Sequence, residues 1–461
     1  MRGELCRIMV NFEDSRRVVL LTNGSKRYAL KTHKADFKRL RQALLHHQAY
    51  SSELRTRQRI QQQLSPKSTS DKSIAPAEQD NDSSDYTVDS EIQESGESSE
   101  IDETATFTFR KRLPADAVPM QPLGIMFLGA AAKAVKNRHF SVPLNLYEPI
   151  SNLQRVSEQL EHSFLIDQAL EHHSPKERMQ LVAAFVVSIF VDSLYRQRKP
   201  FTPYQAETFE LDFSKELGWR FHAEQMTAGN PQTVAAEAEG QGWVWSVSIT
   251  FYNQLKLTLG VVQVSFDGSI HLQLIKFNEV YRWNGIRLLI NRVTKVPDHY
   301  CTPDGLLTIN CNNGFSCQLK FSPLQRAWQV EGCVLDQQKV KISRLAGHSS
   351  TAFGVLPDSK NAEKTLLHMP PVSHFNMAQY GFCQFTMRLN EITDDHTIPL
   401  TDSRLRQDIR CLEEGNFKEA ERLKAESGPK KKCFRRCKWF EEVNGRFESN
   451  GKYWENKNKS E

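Results

Sequence analysis

Trp243-Val244-Trp245-Ser246-Val247-Ser248-Ile249-Thr250-Phe251 decides the fold class. It is rich in Trp, Val, Ile and Thr and contains neither Gly nor Pro, so it reads as a strand. Just beyond it, 262–266 and 269–275 flank Asp267-Gly268, which reads as the turn of a hairpin. In the second arm Ile270, Leu272 and Leu274 alternate with Ser269, His271 and Gln273, giving one apolar and one polar face. Further strands are expected at 306–311, 315–321, 327–335, 339–345 and 382–389. Repeated short strands separated by turn signals predict a large antiparallel sheet or barrel. Upstream, 150–169 reads as an amphipathic helix and 174–195 as a more buried one. After Pro399 the pattern is helical again. The expected class is mainly β with flanking helices (α+β), and periodicity alone leaves open whether the interior is filled or hollow.

The rest of the chain is different in kind. Residues 1–50 offer short β-rich runs, an Asn23-Gly24 turn signal and an amphipathic helix at 34–49. Three short strands and one helix bury too little surface to be stable alone. Residues 51–113 are dominated by Ser, Asp, Glu, Gln and Thr, and such a composition predicts a disordered linker. Within it, 80–103 carries ten acidic residues and no Lys or Arg, whereas 430–438 carries six basic ones. The main domain is expected over 114–456.

Bulk properties exclude several functions. The net charge of +5 is too small to point to nucleic acid. Nine cysteines occur without any C-x-x-C spacing, so no zinc ribbon and no metal site is expected, and reduced core thiols are. The N-terminal Met1-Arg2-Gly3-Glu4 lacks the apolar core of a signal peptide. The most apolar stretch, 179–195, is shorter than the ~20 residues of a spanning helix, so peripheral membrane contact is expected. The pairs His46-His47 and His172-His173 lack any accompanying nucleophile, zinc or phosphate-loop motif, so neither an enzyme nor a cofactor is expected.

Five stretches, taken in order, resemble the ligand-binding domain of the oxysterol-binding protein family. Leu144-Asn145-Leu146-Tyr147-Glu148-Pro149-Ile150-Ser151-Asn152-Leu153-Gln154-Arg155 is similar to that family's N-x-x-E-P-L-S-x-L-Q-R. Residues 178–188 resemble R-M-x-x-V-A-A-F-x-V-S. Lys199-Pro200-Phe201-Thr202-Pro203 with Glu207-Thr208-Phe209-Glu210 resembles K-P-F-N-P-L-L-G-E-T-Y-E. Thr401-Asp402-Ser403-Arg404-Leu405-Arg406-Gln407-Asp408 and Leu412-Glu413-Glu414-Gly415 resemble T-D-S-R-L-R-P-D…L-E-E-G. Trp439-Phe440-Glu441 and Gly451-Lys452-Tyr453-Trp454-Glu455 resemble the family's end. Residues 5–50 resemble the C-terminal half of a pleckstrin-homology domain, with Leu40 at the usual tryptophan.

The resemblance implies a near-closed β-barrel with an apolar tunnel for a sterol or phospholipid, an N-terminal lid and C-terminal helices. It implies transfer between membranes, commonly in exchange for phosphatidylinositol 4-phosphate, by a cytoplasmic protein peripheral to the endoplasmic reticulum and other organelles. The lid falls at 124–135, with Ile125, Met126, Phe127 and Leu128 on its apolar face; an ordinary core helix is the plainer alternative. An endoplasmic-reticulum receptor reads an acidic-flanked double Phe in such proteins, but the tract here offers only Asp85-Tyr86-Thr87-Val88-Asp89-Ser90-Glu91.

A phosphorylated headgroup needs cations and N–H donors. The family supplies a lysine before P-F-N-P, the histidine pair of E-Q-V-S-H-H-P-P, and a Lys, Glu and Arg four apart on a late helix. Here Lys199 is kept, although a solvated basic loop with Arg196 and Arg198 is its alternative reading, and Thr202 replaces the asparagine. The signature reads Glu224-Gln225-Met226-Thr227-Ala228-Gly229-Asn230-Pro231, so Ala228 and Gly229 replace both histidines, leaving Thr227 and Asn230 as uncharged substitutes. On the late helix Asn416 is the expected cap and Lys424 the retained cation, followed by Gly428 and Lys432 in place of Glu and Arg. The sequence therefore predicts a lipid carrier with weakened phosphoinositide binding; a lipid sensor or interaction protein without transfer is the alternative.

Overall fold

The computed structural model describes residues 8–13, 18–23, 26–31, 110–120, 142–227, 231–251, 256–258, 261–293, 295, 298–358, 363–392, 398–426 and 436–458. The expected lid residues Ile125, Met126, Phe127 and Leu128, the signature residues Ala228, Gly229 and Asn230, and Lys432 lie outside them. So do the helix expected at 34–49 and the acidic tract. The chain divides into two compact units, 1–101 and 102–461.

In the first unit β1 (Ile8–Glu13), β2 (Val18–Asn23) and β3 (Lys26–Lys31) form an antiparallel meander, with Asn23 opposite Lys26.

The second unit opens with β4 (Tyr147–Ser151) and β5 (Lys199–Phe201), a small parallel pair. One large antiparallel sheet follows. Its strands are β6 (Thr208–Phe213), β7 (Trp219–Thr227), β8 (Gln232–Gly240), β9 (Trp243–Phe251), β10 (Lys256–Thr258), β11 (Val261–Val264) and β12 (Phe266–Leu274). Then come β13 (Glu279–Asn284), β14 (Arg287–Asn291), β15 (Tyr300–Cys311) and β16 (Ser316–Leu324). The last are β17 (Ala327–Leu335), β18 (Lys341–His348), β19 (Ala352–Val355) and β20 (Lys364–His368). The path runs β20-β19-β18-β17-β16-β15-β13-β12-β9-β8-β7-β6, with β14, β11 and β10 branching from β15. Among the described residues β6 and β20 do not pair, so the sheet is open rather than fully closed.

Period-two burial builds the core. In β9 Trp243, Trp245, Val247 and Ile249 are buried on one face. Trp245 lies opposite Ala238 and Leu272, and Trp243 opposite Gly240, so each large ring meets a small neighbour in β8. A Cβ at Gly240 would run into the Trp243 indole. On the other face, a terminal hairpin of β21 (Phe440–Val443) and β22 (Arg446–Ser449) covers the polar residues. Phe447 N donates to Ser248 Oγ at 3.1 Å, and the His222 ring stacks 4.6 Å from Tyr453. Every residue of Arg178–Ser188 in the helix Pro175–Ser188 is buried, and Arg178 fixes that helix to β13 through two bonds to Glu279, at 2.8 and 2.6 Å.

Three sequence expectations are corrected. Asp267-Gly268 is not a hairpin turn: both residues lie inside β12, paired with Thr250 and Ile249 of β9. Gly268 has φ 131°, and a Cβ there would strike the Ser248 carbonyl, so this glycine serves close backbone approach. The expected strand at 382–389 is a helix, Gln384–Arg388. Within it only Thr386 and Met387 are buried, and a short apolar run does not distinguish the two states. The single helix expected at 150–169 is split. Ile150 belongs to β4, Ser151 begins a capping box with Gln154, and the helices are Asn152–Ser157 and Phe164–Glu171.

Candidate functional site

The parallel pairing of β4 with β5 places Lys199 opposite Tyr147 and Phe201 opposite Ser151. The Tyr147 and Phe201 rings meet at 4.9 Å, joined by buried Leu144, Ile409, Leu412 and Ala420. Ala420 lies on the late helix, Phe417–Glu426, whose first turn is capped by Asn416 Oδ1 accepting from Glu419 N at 3.4 Å. One turn after Ala420, Lys424 comes onto the same side. Its Nζ donates to the Val142 carbonyl at 2.9 Å and lies 4.6 Å from the centre of the Tyr147 ring. Lys199 Nζ lies 5.2 Å from the same centre and donates to Thr202 Oγ1 at 3.1 Å.

Two half-buried ammonium groups thus share one aromatic ring, and among the described residues neither forms an ion pair with a carboxylate. Burial, and then the Lys424 charge, push Lys199 down to about 8. Burial also lowers Lys424. An anion placed between them would relieve the repulsion and replace lost hydration. The neighbouring arginines are occupied. Arg196 is buried against Glu148 and Glu158, at 2.8 and 2.6 Å, and Arg198 donates to the Asn145 and Val118 carbonyls at 3.0 and 2.6 Å. The solvated-basic-loop reading of Lys199 therefore does not hold.

The T-D-S-R-L-R-Q-D stretch is what holds the lysine loop. Arg406 Nη1 donates to the Thr202 carbonyl at 2.9 Å, pairs with Glu207 at 3.2 Å and Asp408 at 2.6 Å, and lies 4.3 Å over Tyr204. Ser403 Oγ bonds Glu207 Oε1 at 2.6 Å. Asp402 accepts from Arg404, whose Nη2 also reaches the Glu210 carbonyl at 3.1 Å.

The altered signature begins beside this loop. Ala206 N donates to the Gln225 carbonyl, and Gln225 N to that of Glu207, both at 2.9 Å. Thr227 is committed to its own turn: its hydroxyl donates to the Pro231 carbonyl at 3.2 Å and accepts from Thr233 N at 3.0 Å. Glu224 accepts backbone N–H bonds from Lys438 and Trp439, each at 3.0 Å, which carries the end of the basic run to the signature strand. Tyr147, Arg406 and Glu224 were not among the expected site residues. An arginine in T-D-S-R-L-R-Q-D could have been suspected, whereas Tyr147 reaches the site through strand register, which the sequence does not display.

The sequence profile described as "Oxysterol-binding protein" matches residues 137–459. The chain is 34% identical over 346 residues to oxysterol-binding protein-related protein 2B of Arabidopsis thaliana, covering 68% of this chain and 47% of that one. It is 30% identical over 369 residues to oxysterol-binding protein-related protein 2 of Homo sapiens, covering 68% of this chain and 76% of that one. It spans only 33% of the Mus musculus oxysterol-binding protein-related protein 3, to which it is 32% identical. Among solved structures it is similar to the Osh3 ORD of Saccharomyces cerevisiae in complex with PI(4)P, with a TM-score of 0.65, 26% identity, and coverage of 77% of this chain and 97% of that one.

Proposed function

The chain belongs to the oxysterol-binding protein family, and from that premise we propose that it binds a sterol or similar lipid in its barrel and carries it between membranes, with weakened binding of phosphatidylinositol 4-phosphate. The family is one of lipid-binding and transfer proteins, not of enzymes. The observation that carries the reading is the pair of ammonium groups at Tyr147, a half-retained anion site. The yeast Osh3 domain with the same fold was solved with PI(4)P. Replacement of both histidines by Ala228 and Gly229 removes two donors, each contributing ~1.5 to 3 kcal/mol to a charged partner.

The apolar tunnel, with Ile125, Met126, Phe127 and Leu128 as its lid, is part of the same proposal. So are the division into 1–50, 51–113 and 114–456, phosphate contacts by Lys199, Thr202, Asn230, Lys424 and Lys432, and peripheral residence at the endoplasmic reticulum and other organelles. No described helix is long and apolar enough to cross a membrane. Contact of the acidic linker with an endoplasmic-reticulum receptor belongs to the proposal as well, through a tract that lacks the double Phe.

The test is extraction by the full chain from liposomes holding either a fluorescent sterol or phosphatidylinositol 4-phosphate. Sterol taken up in preference to the phosphoinositide is the expected result. Equal extraction of both would remove the weakened-headgroup element. The altered signature favours a second reading, a lipid sensor without transfer; sterol delivered to acceptor liposomes would exclude it.

A further inference from the structure

Three donors of different chemistry converge away from the lysine pair. Glu161 follows the 3-10 turn Glu158–Leu160, His374 closes the turn Val372–His374, and Cys383 is the N-cap of the helix Gln384–Arg388. Their donor atoms all lie within 4.8 Å of one another. His374 Nε2 is 3.2 Å from Glu161 Oε1. Cys383 is buried, with its Sγ 3.4 Å from Thr386 Oγ1, whereas His374 is exposed.

The segment carrying two of the donors is held rigidly. Asn376 N donates to the Phe382 carbonyl at 2.9 Å, and the Phe375 ring stacks on Tyr195 at 4.1 Å. Donors fixed in this way lose little freedom when they close on a cation.

We propose that Glu161, His374 and Cys383 form a zinc-binding site. Oxygen, nitrogen and sulfur together suit a borderline cation, while calcium and magnesium take oxygen alone. Zinc bonds of ~2.0 to 2.3 Å place tetrahedral donors roughly 3.3 to 3.8 Å apart, a contraction that side-chain rotation supplies. On binding, the Cys383 thiol releases its proton to solvent and ligates as thiolate, Glu161 ligates as carboxylate, and His374 ligates through Nε2 with its proton on Nδ1. Water fills the fourth position on the exposed side. Zinc would then tie the layer that follows the first helices to the segment beyond β20. Without it, burial keeps the thiol protonated and inert.

The full chain, stripped with chelator, is titrated with Co2+ as an optical probe and then with Zn2+. Expected are a sulfur-to-cobalt charge-transfer band, the intense visible bands of four-coordinate cobalt, displacement by zinc, and a zinc-dependent rise in Tm. Cys383→Ser abolishes the charge-transfer band, His374→Ala weakens binding by about tenfold or more, and Cys317→Ser leaves the band unchanged. His374 is exposed, so its variant decides the matter even if Cys383→Ser does not fold. An unchanged affinity and Tm response in His374→Ala, or no cobalt band in the unaltered chain, would overturn the proposal.

Discussion

The hydroxyl of Ser403 lies 2.8 Å from that of Ser151, across 252 residues of sequence. This contact joins the strand carrying Tyr147 to the stretch whose Arg406 holds the Thr202 carbonyl.

Ser403→Ala removes that bond and the one to Glu207, leaving the buried Glu207 carboxylate short of a donor and the Ser151 hydroxyl short of an acceptor. Urea unfolding should show a loss of ~1 to 3 kcal/mol. A loss within the noise of a surface substitution would mean that solvent replaces the hydroxyl.

Lys199 gives a pH signature. Its folded pKa, about 8, is below the ordinary lysine value of ~10.4. The charged form therefore opposes folding: the penalty is full below about pH 8 and disappears by about pH 10.4, so its contribution makes stability rise with pH across that window. Anion binding runs the other way, because it needs the ammonium. Binding of a phosphomonoester should fall as pH rises through about 8, and Lys199→Arg should flatten the curve. Identical profiles for both proteins would remove Lys199 from the site.

Restoring the donors is a gain-of-function test. The double substitution Ala228→His with Gly229→His should raise extraction of phosphatidylinositol 4-phosphate by ~100-fold or more, two charged hydrogen bonds being worth ~3 kcal/mol or more. Sterol extraction serves as the control. No gain would place the defect beyond Lys424, where the sequence has Gly428 and Lys432 in place of the family's Glu and Arg.

Gly268→Ala should destabilise the chain by ~2 kcal/mol or more, since φ 131° and the Ser248 carbonyl both reject a Cβ. Thermal unfolding reads this directly, and a stable, soluble variant would show that β9 and β12 can part locally.

How far the sequence could be read follows from these cases. Alternation in β9 and β12 reports burial on one face, so the β character and the buried side chains of Trp243, Trp245, Ile270 and Leu272 were legible. Gly268 was misread because one residue type serves both turns and close strand approach. The helix Gln384–Arg388 was misread because five residues are too few to display a period. Lys199 and Lys424 were found through motif resemblance, but their meeting at Tyr147 depends on register between strands about fifty residues apart. The Glu161, His374 and Cys383 cluster has no local ligand spacing, so a search for C-x-x-C patterns passes over it.

One edge of the large sheet, β6, does not end in open solvent. Thr208 N donates to the Thr401 carbonyl at 2.9 Å, and Thr208 forms an isolated parallel bridge with Asp402. The stretch that positions the lysine loop is therefore also a guard against edge-to-edge aggregation. One stretch of chain thus couples the solubility of the sheet to the shape of the lysine loop, so a substitution that frees Thr401 and Asp402 from Thr208 would expose the edge of β6 and loosen the loop together.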